Sequence, residues 1–201
     1  MSEPTATRRG HVHRVTRETD VEITLMLDGH GRTAITTGVN FLDHMLDSLA
    51  RHGLFDLDIR AVGDLTIDDH HTVEDVAITL GQALLQSIGD GGGIRRFGHA
   101  IVPMDEARAM ATVDLGGRGV AVLNIALDGP LVGDMKTQMV AHFFDSLARE
   151  AHMALHLELQ RGVNDHHRVE VCFKALAKAL DVATQIDDRL QGEVPSTKGM
   201  L

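Results

Sequence analysis

The chain repeats itself, and a repeat of this length constrains its fold more than any other feature. Residues 46–51 read LDSLAR and residues 144–149 read FDSLAR, so a shift of 98 residues also lays His44 on His142. Further on, LFDLDIRAVGDLTIDDHHTVED faces MALHLELQRGVNDHHRVEV. A two-residue deletion there reduces the shift to 96 and pairs His70 with His166, His71 with His167 and Glu74 with Glu170. Upstream, GHGR at 29–32 faces LGGR at 115–118 between β-rich runs. Any one match could be chance, but an ordered series points to duplication of a half-chain unit.

Each half yields the same elements. VEITLML (21–27) and RTAITTGV (32–39) alternate polar and apolar residues around DGHG, a hairpin pattern. FLDHMLDSLARHG carries apolar residues at 41, 42, 45, 46 and 49, a helical stripe ending at Gly53. LFDLDIRAV alternates like a half-buried strand, and VEDVAITLGQALLQSIG reads as a helix closing at Gly89. The second half predicts strands in ARAMATVDL and GVAVLNIAL, a helix over 137–151, a strand over 153–161 and a helix over 167–186. The expected fold is therefore α+β, with two ββαβα halves (9–90 and 91–192) forming one domain and helices on one side of each sheet. GDGGGI, 89–94, joins the halves, and 193–201 is a tail that either frays or closes on a ligand.

Composition narrows the function. A net charge of −10 argues against a phosphate-backbone partner, and the absence of Trp and Tyr removes most base-stacking platforms. The single cysteine, Cys172, excludes an internal disulfide and fits a reducing compartment. There is no 18-residue apolar run, and MSEPTATRRGHVHRV lacks the apolar core of a secretory signal. That segment reads as a short lead-in, and the expected location is the cytoplasm.

Histidine is the anomaly, with 13 residues. His11, His13, His30, His99, His152 and His156 read as ordinary surface or hydrogen-bonded residues. The two doublets do not. On a helix, residues three and four apart share a face, so Glu74 lies near both His70 and His71. Neighbouring residues project about 100° apart, so a doublet is expected to serve two different metal ions. With His44 and His142, the pool is six imidazoles and two carboxylates in two matching sets. Such donors suit a borderline divalent ion such as Mn, Fe, Co or Zn. Polar helix caps built on Asp69 and Asp165 are the plain alternative, which leaves the recurring histidine pairs unexplained. Cys172 falls on another helical face from Glu170 and reads as core. The halves also differ: Lys174 stands four residues after Glu170, and Ile78 four after Glu74. A cation beside metal ligands points to an anionic substrate such as a phosphate.

Together these segments resemble the imidazoleglycerol-phosphate dehydratase family. The resemblance runs from about residue 9 to the end through RVTRET, FLDHML, DDHHTVED, GIRRFG, PMDEA, AHFFDSLA, NDHHRVE, FKAL and PSTKG, in order. It implies a fold of two ribosomal-protein-S5-like units. It also implies two Mn(II) ions per active site and sites formed between subunits of a 24-subunit homo-oligomer. The implied metal ligands are His44, His70, His71, Glu74, His142, His166, His167 and Glu170. Arg96, Arg118, Lys174, Ser196 and Lys198 would cradle the phosphate. Glu18 would be the acid/base, with His44, His71 and Glu170 also among the catalytic groups. The expected reaction converts imidazole glycerol phosphate to imidazole acetol phosphate, with removal of a proton from the carbon bearing the imidazole as its difficult step. Gly119 stands where the family commonly has proline. Some relatives carry an additional phosphatase domain, for which this chain has no room, so a monofunctional enzyme is expected. A dinuclear metallohydrolase of small phosphoesters would use the same ligands and cations. A metal-storage or RNA-binding module is the third reading, which the acidic balance and missing aromatics disfavour.

Overall fold

Alternating patterns give each sheet one apolar face, and the helices cover it. The computed structural model describes residues 8–201. The first half runs β1 (Arg9–Val15), β2 (Thr19–Met26), β3 (Thr33–Thr36), α1 (Asn40–Gly53), β4 (Asp56–Gly63) and α2 (His70–Ile88). Its sheet has the order β1-β2-β4-β3. The second half runs β5 (Phe97–Met104), β6 (Ala107–Asp114), β7 (Val120–Asn124), a short hairpin of β8 (Leu131–Val132) and β9 (Met135–Lys136), α3 (Gln138–Glu150), β10 (Ala154–Arg161) and α4 (Asp165–Thr184). Its sheet order, β5-β6-β10-β7, repeats the first. Among the described residues no helix is long and apolar enough to cross a membrane.

The helices meet across the halves. α2 lies on β1 and β2, and α4 lies on β5 and β6; α1 packs on α4, and α2 on α3. The result is a layer of four helices between two sheets. The stripe read from α1 is buried at Phe41, Leu42, Met45, Leu46 and Leu49, and α3 buries Met139, Val140, Phe143, Phe144 and Leu147. Phe143, Phe144 and Phe173 pack with ring centroids 4.7 to 5.6 Å apart. Each such side chain stabilises the fold by about 1.5–3 kcal/mol through burial. Cys172 is fully buried in the same layer, and burial pushes its thiol up to about 12.

The α+β class and the duplication hold, but each four-stranded sheet carries one strand more than ββαβα provides, and the second half adds the β8–β9 hairpin. The additional strands are β1 and β5. The supposed lead-in is thus a strand over Arg9–Val15, while its first seven residues lie outside the described residues. Both strands hide in the sequence because a glycine occupies an inward position. A Cβ on Gly10 would fall 1.9 Å from Ala83 O, and one on Gly98 would fall 1.9 Å from Ala179 O. Here helix backbone touches strand backbone, so the most buried inward position has no side chain, and the apolar signal on that face is thinned to Val12 in β1 and to Ala100, Val102 and Met104 in β5.

The expected hairpin between β2 and β3 is absent. β2 pairs antiparallel with one side of β4, and β3 pairs parallel with the other. Asp56, at the start of β4, accepts from His30 N (2.7 Å) and Arg32 N (2.9 Å), and so carries the DGHG segment past the strand end. Alternation marks strands but does not name their neighbours. Within the two four-stranded sheets the hairpins are β1–β2 and β5–β6 instead.

The equal close approaches predict equal intolerance. Gly10→Ala and Gly98→Ala should each cost at least about 1–3 kcal/mol through overpacking, measured by urea unfolding. Wild-type stability in either variant would show that strand and helix are not in backbone contact there.

Candidate functional site

The helix layer puts the first turns of α1 and α4 side by side, and likewise those of α3 and α2. In the first group His166 Nε2 lies 3.1 Å and His44 Nε2 3.5 Å from Glu170 Oε2. In the second, His142 Nε2 lies 3.0 Å from Glu74 Oε1, and His70 Nε2 4.0 Å from Glu74 Oε2. The donor atoms within each group all fall within 4.8 Å of one another. Two imidazoles and a carboxylate at that spacing fit a borderline divalent cation. Each group takes one residue from the opposite half, His44 in one and His142 in the other. The cross-half helix packing thus joins donors from both halves within one chain.

His71 and His167 stay outside both groups. His71 Nδ1 lies 3.0 Å from Asp64 Oδ2, and its Nε2 lies 3.8 Å from Glu18 Oε2. His167 Nδ1 lies 2.8 Å from Glu106 Oε2, and its Nε2 lies 3.7 Å from Asp105 Oδ2. The hydrogen bond to Asp64 raises the His71 pKa, and that to Glu106 raises the His167 pKa. Glu106 is held down at about 2 by the His167 hydrogen bond and by the backbone N–H groups of Asn164 and Val163. A carboxylate on Nδ1 fixes ring and tautomer and leaves Nε2 as the ligating atom.

Polar residues before each helix brace these turns, though not as expected. Asn164 caps α4 by accepting from His166 N (2.9 Å) and His167 N (3.4 Å), while Asp68 accepts from His70 N (2.8 Å). Asp165 instead holds the backbone N–H groups of Asp128 and Gly129. Asp69 accepts from Lys136 N at 2.6 Å. Asp134, in the turn between β8 and β9, accepts from Asn40 N and Phe41 N, both at 2.8 Å. One hairpin of the second half therefore clamps the starts of both α1 and α2.

The two groups differ in charge. Lys174 Nζ lies 2.8 Å from Glu170 Oε1, whereas the matching Ile78 gives Glu74 no cation. Burial alone would push the Glu170 pKa up, but Lys174, His44 and His166 outweigh it and lower the pKa below its ordinary value. Arg96, Arg118, Ser196 and Lys198 line one cavity of about 310 Å³. Arg96 sits in the left-handed region at φ 69°, and its guanidinium donates to Asp114 (2.6 Å) and to Pro195 O (2.9 Å). Arg118 and Lys198 make no ion pair among the described residues. Lys174 does not line this cavity, so within one chain it is separated from the other four cations and hydroxyls of the expected cradle.

The sequence pattern of the imidazoleglycerol-phosphate dehydratase family matches residues 37–180. The chain is 53% identical to the enzyme of that name from Granulibacter bethesdensis, with 97% of this chain and 100% of that one covered. It is 52% identical to the Chloroflexus aurantiacus enzyme, over 96% and 95%. The crystal structure of the Staphylococcus aureus enzyme superposes with a TM-score of 0.80 at 36% identity, over 89% of this chain and 99% of that one. The Pyrococcus furiosus structure gives 0.81 at 35%, over 94% and 100%. This chain belongs to the imidazoleglycerol-phosphate dehydratase family.

Within this dehydratase, the matched segment spans all eight candidate ligands, and Glu18, Ser196 and Lys198 lie outside it. Sequence reasoning missed Asp64, Asp105, Glu106, Asp134 and Lys136 as site-building residues. Asp105 and Glu106 belong to PMDEA, which resembled the family without suggesting a role. Gly119 runs against α3: a Cβ there would fall 2.4 Å from Arg149 O, so no proline fits this backbone path.

The two groups are separable by mutation. His142→Ala removes a donor from the His70 group and leaves the His44 group whole. The expected outcome is loss of one of two ion classes in a divalent-metal titration followed by calorimetry. Loss of both classes would show that the groups do not bind independently.

Proposed function

We propose that this chain removes water from D-erythro-imidazole glycerol phosphate to give imidazole acetol phosphate, a step of histidine biosynthesis, and so is a hydro-lyase. The observation that carries this reading is the pair of matched His–His–Glu groups in a chain of the dehydratase family. The phosphoester-hydrolase alternative uses the same donors and cations, and family membership decides against it.

Atom balance corrects one expectation. The product ketone lies one carbon beyond the carbon that bears the ring. The hydroxyl lost is therefore the one on the ring-bearing carbon, and the C–H bond that breaks is on its neighbour. The resulting enol tautomerises to the ketone, and the phosphate is untouched.

His44, His166 and Glu170 would hold one divalent ion, and His70, His142 and Glu74 another. We take manganese as the ion, on the resemblance and the mixed imidazole–carboxylate donors. Such ions supply Lewis acidity for charge developing on the ring and on the leaving hydroxyl. We assign the Glu18 carboxylate, which lies beside His71 Nε2, as the general acid/base that takes and returns the proton. Arg118 and Lys198 offer unpaired cations to the phosphate, while Arg96 is oriented by Asp114 and Ser196 offers a hydroxyl.

His71 and His167 have their Nδ1 atoms held and lie outside both donor groups of their own chain, with Nε2 beside Glu18 and Asp105 respectively. We assign them to the ion groups of neighbouring copies, with Lys174 meeting a neighbour's phosphate cavity. That arrangement agrees with the 24-subunit shell and intersubunit sites that the resemblance implies. A biosynthetic enzyme of this composition is assigned to the cytoplasm.

Chelation followed by addition of Mn(II) tests the reading. Dehydration of imidazole glycerol phosphate should vanish on chelation and return with the metal, with a phosphorylated ketone as product. Release of inorganic phosphate would support the hydrolase, and inactivity with every divalent ion would sink the assignment.

A further inference from the structure

The turn between β1 and β2 that carries Glu18 is tied down by a polar network that the second half of the fold lacks. Thr16 Oγ1 accepts from Glu18 N (3.1 Å) and Thr19 N (3.0 Å), and Glu18 O accepts from Asp64 N (3.1 Å). Thr19 Oγ1 donates to Asp75 Oδ2, and Arg14 Nη2 lies 3.3 Å from Asp75 Oδ1. The Asp75 side chain is only 8% exposed and stands next to Glu74 on α2. The chain of contacts therefore runs from the ligand-bearing helix to the turn. The same Asp64 accepts from His71 Nδ1, so Glu18 and His71 are located from a shared point.

The duplication provides an internal control. Strand register pairs Arg14 with Val21 and Val102 with Ala109, which makes Val102 the counterpart of Arg14. β2 and β6 share one burial pattern from Thr19 and Ala107 onward, so Ala107 is the counterpart of Thr19. The histidine doublets align Asp75 with Val171, which is fully buried. An Arg–Thr–Asp triad in one half is thus a Val–Ala–Val triad at the same place in the other. The apolar triad packs the seam between strand and helix without desolvating a charge, so packing does not require the polar one. The polar triad coincides with the turn bearing Glu18, and the apolar triad with the turn bearing its counterpart Glu106, which is instead fixed through its own carboxylate by Val163 N, Asn164 N and His167.

We infer that Asp75 is a positioning residue for Glu18, acting through Thr19 and the β1–β2 turn. The inference rests on the acid/base reading of Glu18. An exposed carboxylate samples many rotamers, and a misplacement of about 1 Å costs on the order of 100-fold in rate. Asp75 limits that sampling by fixing the backbone from which Glu18 projects, and it touches no substrate itself.

The test is a double-mutant cycle on the metal-loaded enzyme. One arm is Glu18→Gln. The other copies the second half: Arg14→Val, Thr19→Ala and Asp75→Val together, which leaves no buried charge unpaired. Asp75→Asn serves as a milder single variant. Metal content and melting temperature should match wild type in the triple variant, with kcat down on the order of 100-fold and KM little changed. Added to Glu18→Gln, the triple variant should cause no further loss of kcat. Losses that multiply, or wild-type kcat in both the triple variant and Asp75→Asn, would overturn the positioning role while leaving the Glu18 assignment intact. Full activity of Glu18→Gln alone would overturn the acid/base reading, and the positioning role with it.

Discussion

The seam between the two halves is the constraint on which the site depends. If each half had packed its own two helices into a private core, His44 would have stayed with its own α2 and His142 with its own α4. Instead α1 lies on α4 and α2 on α3, so each three-donor group straddles the seam. The energy that holds the groups together is therefore hydrophobic. Phe143, Phe144 and Phe173 are fully buried in the helix layer, as are Leu42, Met45 and Leu46 of α1. Those contacts bring partly exposed imidazoles within ion-binding reach, a geometry that exposed polar groups could not hold through their own interactions.

Much of this was legible in the chain, and the reasons differ by element. The helices and the inner strands announced themselves by period, because each buries a stripe of apolar side chains. β1 and β5 were quiet because Gly10 and Gly98 empty one inward position each, Arg14 puts a charge on the inward face of β1, and Phe97 and Ile101 put apolar side chains on the outer face of β5. The neighbour relations of β3 were not legible, since alternation is the same for a strand paired on either side. In the site, the doublets and their glutamates stood out through spacing, and the parting of His70 from His71 followed from helical projection. The pairing of His44 with the second half and His142 with the first was not legible, because it is decided by which helices pack. Asp64 and Glu106 were equally hidden: each is an ordinary turn carboxylate until the fold places it on an imidazole Nδ1.

The departures from the repeat carry as much chemical information as the repeat itself. Four departures matter: Lys174 against Ile78, Asp75 against Val171, Thr19 against Ala107, and the hairpin of β8 and β9, which has no counterpart among the described residues of the first half. The shared parts are the donors and the helix layer. The unshared parts set charge beside one glutamate, brace one turn and clamp two helix starts. A duplicated frame supplies two like donor groups, whereas a substrate with a ring at one end and a phosphate at the other requires unlike surroundings.

Under the proposed assembly, this division also explains why the locked histidines stand apart. Asp64 and Glu106 fix His71 and His167 with Nε2 beside Glu18 and Asp105 and outside both donor groups, so neither joins the set to which its doublet partner belongs. Each chain then offers two incomplete groups and two unused ligands. In that assembly another copy would reconcile the counts, and doing so would bring Lys174 of one chain and the Arg118–Lys198 cavity of another toward one substrate. Closing the metal sets and closing the phosphate site would then be the same event.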